Sequence, residues 1–177
     1  MHAIFTNKMA NSSSIHHQCS RHWCRRYLTV VMNKFPENLG EPNIKISGLE
    51  IWIHGYQFPD SQDHWDGNWM DITAKCTSKN ACVWVSGNIL HLPDLKLLMT
   101  TSEKLYINLK GEAELPCIEP ELSVKLKARS LGQISMIVEI TPNHLNQEHR
   151  FEFEIDQSYL LDLVSSCKKV LDRYRIK

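Results

Sequence analysis

From Ile44 onward the chain alternates apolar and polar residues with a period of two. Ile44 and Ile46 share one parity, while Leu49, Ile51 and Ile53 share the other. The switch falls at Ser47-Gly48, where a bulge or tight turn is expected. Met70, Ile72, Ala74 and Cys76 alternate with Asp71, Thr73 and Lys75, and Val83 and Val85 flank Trp84 after a short Lys79-Asn80 turn. Leu122, Val124, Leu126 and Ala128 form a further run, and Ile134, Met136, Val138 and Ile140 follow Leu131-Gly132. Phe151, Phe153 and Ile155 close the series, and Leu105, Ile107 and Leu109 offer one more strand. Alternation of this kind marks antiparallel strands with one wet face; parallel α/β folds need continuous apolar strands interleaved with helices.

Two stretches change period. Residues 158–174 place Leu160, Leu161, Leu163, Val164, Cys167, Leu171 and Tyr174 at three- and four-residue spacing. Asp156 or Ser158 is placed to cap that helix, and Lys168, Lys169 and Arg173 fall late in it. A shorter helix is predicted to begin at Pro93-Asp94 and to run through Leu95, Leu98 and Met99. The expected fold is therefore α+β: an antiparallel sheet of six or seven strands, one mid-chain helix, and a C-terminal amphipathic helix packed on one face.

Composition narrows the class without deciding it. A chain of 177 residues, 42% hydrophobic and 23% charged, suits one globular domain with an appendage. The formal charge of zero hides a division. Residues 1–31 carry Lys8, Arg21, Arg25 and Arg26 and no acid, which leaves 16 basic against 20 acidic residues, a net −4, in 32–177. A mildly acidic body argues against a nucleic-acid-binding face and suits a basic protein partner. The apolar run Tyr27–Met32 is too short for a signal-peptide core or a membrane span, so a cytoplasmic location is expected. Six cysteines without a CxxC pair are expected to be free thiols, several of them buried.

Residues 1–43 hold no lasting period. His16, His17, Cys19, His22 and Cys24 are competent metal ligands, but their spacing matches no common zinc arrangement. The expectation is a disordered or non-native extension, with Met32 a plausible native start and 44–177 the single domain.

Chemistry concentrates between Gly55 and Trp69. Tyr56, Phe58, Asp60, Asp63, His64, Trp65, Asp66 and Trp69 crowd a stretch that neither helical nor strand spacing explains. Asp60, Asp63, His64 and Asp66 offer a metal-dependent hydrolase site, yet their spacing fits neither an EF-hand nor a zincin helix. Aspartates in loops commonly brace turns, and Asp66-Gly67 is a strong turn dipeptide. Tyr56, Trp65 and Trp69 offer a small-ligand or carbohydrate platform. Trp65, which fits no strand, is the best candidate for an exposed interface anchor. The sequence has no G-x-S-x-G elbow, phosphate loop or dinucleotide glycine pattern, so no catalytic residues and no cofactor are assigned.

The same segment carries a resemblance. Leu49-Glu50-Ile51 leads into Gly55-Tyr56-Gln57-Phe58-Pro59-Asp60, and Trp65-Asp66-Gly67-Asn68-Trp69 opens the next strand. Ile118-Glu119-Pro120-Glu121-Leu122 precedes an alternating strand, and an amphipathic helix ends the pattern. Over Ile44 to Tyr174 the chain resembles the WapI-type immunity proteins of bacterial contact-dependent toxin systems. The resemblance implies a non-enzymatic protein that binds and neutralises a cognate toxin domain, expected to be a nuclease. Tyr56, Asp60, Asp63, Trp65 and Asp66 are the candidate partner-binding residues.

Overall fold

The computed structural model describes residues 34–177. The histidines and cysteines between His16 and Cys24, and the start expected at Met32, lie outside the described residues. In chain order the elements are β1 (Ile44–Ile46), β2 (Leu49–Tyr56), β3 (Trp69–Ser78), β4 (Ala81–His91), α1 (Leu92–Asn108), β5 (Glu112–Leu115), β6 (Leu122–Ala128), β7 (Gln133–Ile140), β8 (Arg150–Asp156) and α2 (Ser158–Arg173).

The fold is α+β, but the single sheet of six or seven strands is replaced by two four-stranded antiparallel sheets, ordered β1-β2-β3-β4 and β5-β6-β7-β8. Each is a meander followed by a helix, so the element order repeats. Alternation in the sequence fixes which face of a strand is dry; it says nothing of where one sheet ends, and here α1 separates the two. The Ser47-Gly48 switch is a tight hairpin turn between β1 and β2, with Ser47 at a φ of 50°.

The mid-chain helix is longer than expected. Leu105 and Ile107 belong to α1, and Leu109 is its left-handed cap at a φ of 51°. Leu95, Leu98, Ser102 and Leu105 line its buried side, while Ile107 is exposed. No Gly or Pro separates Met99 from Leu105, so nothing stops the helix. The hydroxyls of Thr100 and Thr101 bond back to the Lys96 and Leu97 carbonyls and are satisfied inside it. The fifth strand, β5, holds only Ala113 and Leu115 as apolar residues, too short a pattern to stand out.

One core serves both sheets. Ile51, Ile72 and Leu90 from the first join Leu122, Leu126 and Met136 from the second, with Leu95 of α1 and Leu163 and Cys167 of α2. The thiols of Cys76, Cys117 and Cys167 are pushed up to about 12, chiefly by burial, which removes them as nucleophiles at neutral pH.

Residues 35–43 lie along the outer face of the first sheet. Phe35 meets Trp52 and Trp84 edge-on, and the Lys75 ammonium lies 5.0 Å from its ring. Trp52 Nε1 donates to the Gly40 carbonyl, and Ile53 N donates to Asn43 Oδ1.

The candidate partner-binding loop

The connection between β2 and β3, residues 57–68, departs from the regularity of the sheets. Its base is twisted by two bulges: His54 is extra in β2, and Ile89 is extra in β4, both opposite the start of β3. Bulges steepen local twist and re-aim strand ends. Gly55 completes the first with a φ of 151°, a conformation that side chains disfavour.

Inside the loop, Asp63 is the brace. Its Oδ1 accepts from Trp65 N at 2.7 Å and Asp66 N at 2.9 Å, and its carbonyl accepts from Gly67 N. The bonds from Asp66 and Trp65 hold its carboxyl below the usual range. This is the aspartate-braced turn that residue type suggested, and it leads into a short 3-10 turn over Asp66–Asn68. Asn68 is fully buried and ties the loop to itself through Nδ2 to the His64 carbonyl.

Two aromatic groups flank the loop. Trp65 packs edge-on against Trp69, and both rings lie 5.2 Å from His91, whose Nε2 donates to the Trp65 carbonyl. Trp69 is buried, whereas Trp65 keeps 53% of its surface exposed and Phe58 keeps 44%. Tyr56 belongs to the other group. Its ring meets Tyr174 edge-on at 5.6 Å, and its hydroxyl donates to the Arg175 carbonyl. Burial is the main cause that raises its phenol pKa. Tyr56, Trp65 and Trp69 are therefore split between two clusters.

The aspartates do not converge either. Asp60, Asp63 and Asp66 are exposed, and none is paired with a Lys or Arg among the described residues. Among the described residues no three His, Cys, Asp or Glu side chains come together as a metal ion requires.

One contributor to the loop carries no signal in residue pattern. The segment after α2 docks on the loop: Lys177 N donates to Asn68 Oδ1, and His64 Nδ1 donates to the Lys177 main-chain oxygen. No periodicity signals such a contact between residues 109 positions apart.

Fold and loop together define a small α+β protein that displays one acidic, aromatic loop on two regular sheets. The chain belongs to the Immunity protein WapI-like family, whose sequence profile matches residues 42–175. No curated protein matches it in sequence. Among solved structures, the plant transcriptional regulator PBF-2 is similar over 73% of this chain and 79% of that one, at 9% identity and a TM-score of 0.45. That likeness is too remote to bear on function.

Proposed function

We propose that this chain is a non-enzymatic immunity protein that binds a cognate toxin domain, a nuclease, and covers its active site in the cytoplasm. Membership of the immunity family over residues 42–175 carries the reading. The charge of the body supports the choice of toxin, because nucleases bind polyanions in basic clefts and opposite charge speeds association. Among the described residues no helix is long and apolar enough to cross a membrane. On this reading the partner is a protein rather than nucleic acid or membrane.

The loop supplies the contact. Trp65 is the anchor, with Asp60 and Asp66 as the acidic groups that meet the toxin, while Tyr56 and Asp63 hold the loop from behind. An exposed Trp in a loop that also carries unpaired carboxylates suits a basic surface containing an apolar recess.

Rescue tests the proposal. Cells expressing the full chain should survive induction of the toxin domain encoded beside it and retain intact nucleic acid. Unchanged killing at confirmed expression of both proteins overturns it.

A further inference from the structure

We propose that Lys177 is a positioning residue: it latches the 57–68 loop and thereby holds Trp65 where a partner meets it. The part of this proposal that concerns the partner rests on the immunity reading, while the latch itself does not. Lys177 lies beyond the residues matched by the family profile.

Each part of Lys177 engages the loop. Its N–H donates to Asn68 Oδ1 at 2.9 Å, and Asn68 Nδ2 donates to its main-chain oxygen at 3.2 Å. That pairs a buried amide side chain with the main chain of Lys177 on both its N–H and its oxygen, as a strand neighbour would be paired. His64 Nδ1 donates to the same oxygen at 2.9 Å. The ammonium donates to the Pro59 carbonyl at 2.6 Å and the Ser61 carbonyl at 2.8 Å, and it lies 4.6 Å from the centre of the Tyr56 ring. The stem crosses Gly67 so closely that a Cβ there would stand 3.0 Å from Lys177 Cδ and 3.0 Å from the Ser61 carbonyl oxygen. The lysine stem and the Ser61 carbonyl together leave little room for a side chain at Gly67.

The choice of acceptors gives the latch its function. A loop with three exposed aspartates repels itself, and a nearby cation would ordinarily pair with them. Lys177 instead spends its charge on two neutral carbonyls and an aromatic face. The backbone is fixed while Asp60, Asp63 and Asp66 remain without a cationic partner among the described residues. Charge-assisted bonds of this kind are about twice as strong as neutral ones. The bond from Tyr56 to Arg175 and its contact with Tyr174 aim the lysine at the loop from the end of α2.

Hydrogen exchange on the full chain tests the latch. Lys177→Met keeps the apolar stem and removes the ammonium, and Lys104→Met on α1 serves as the control. In Lys177→Met the amides of Trp65, Asp66 and Gly67 should exchange about tenfold faster, with β6 and β7 unchanged. Asn68→Ala should loosen the same amides by the other route. Affinity for the purified toxin domain should fall about tenfold in Lys177→Met and further in Trp65→Ala. Unchanged loop exchange in both latch variants overturns the proposal. So does faster exchange with full affinity, where Trp65→Ala does weaken binding. Faster exchange with no effect of either Lys177→Met or Trp65→Ala on binding upholds the latch and removes the loop from the partner surface.

Discussion

The two halves of this molecule share an element order, and they differ most at their second hairpin. In the first half β2 joins β3 through residues 57–68; in the second β6 joins β7 through residues 129–132 alone. The long connection is held by Asp63, Asn68, His91 and Lys177, and it shows one Trp to solvent. The short one is a single turn in which Leu131 takes a φ of 58° and is 99% exposed. Both display an apolar side chain, so exposure alone separates nothing. What differs is the bonding around it. Ordering a long loop costs about 1–2 kcal/mol of backbone entropy per residue, and polar braces offset that cost only where the conformation has a use.

Four substitution experiments and one titration sharpen this contrast, and the largest effect concerns what the halves share. Leu95→Ala in α1 and Leu163→Ala in α2 should each cost about 3 kcal/mol and leave one cooperative transition in chemical denaturation, because both fill the same core. Two separate transitions would show that the halves fold independently. Trp65→Ala should next weaken toxin binding by about 2 kcal/mol, roughly thirtyfold, with little change in stability, whereas Leu131→Ala should leave binding intact. Equal losses from both would erase the distinction between the connections. Asn68→Ala leaves a backbone N–H and two carbonyls short of a partner and should lower stability by about 1–2 kcal/mol in urea denaturation. Leu131→Gly relieves a left-handed leucine and should raise stability by about 1 kcal/mol, a gain visible as a higher midpoint. A loss instead would mean that the unfolded-state entropy added by glycine outweighs the relief of the left-handed backbone.

The smallest effect is set by pH. The Asp63 carboxyl is held below its ordinary value of 3.8 in the folded loop. A depressed acid stabilises the fold above its unfolded pKa, and that contribution disappears as pH falls through the folded one. Trp65 emission, taken as the difference between the native chain and Trp65→Phe, should hold steady from neutrality down to about pH 4 and change only below it. A transition already complete well above pH 4 would show that Asp63 is not the controlling group.

How much of this was legible in the sequence depends on the range of each interaction. Strands with three or more alternating apolar residues, such as Leu122 to Ala128, declare themselves because burial on one face is a local rule. Partition into two sheets is not local: Ile140 and Met70 both belong to dry faces, and nothing in either run names its neighbours. Leu105, Ile107 and Leu109 imitate strand alternation because Tyr106 and Asn108 fall between them, while the uninterrupted helix before them decides otherwise. Within the loop, the turn around Asp63 follows from residue type, and the exposure of Trp65 follows from its lack of any period. Phe35 against Trp52 and Lys177 against Asn68 were invisible, since each joins a patterned element to a segment without a pattern.

The most direct measurement is hydrogen exchange of the full chain bound to its toxin domain, compared with the free protein. Strong protection of residues 57–68, centred on Trp65, with none at 129–132 is the result expected of a toxin-binding loop. Protection confined to other surfaces, with 57–68 exchanging as in the free chain, would contradict it.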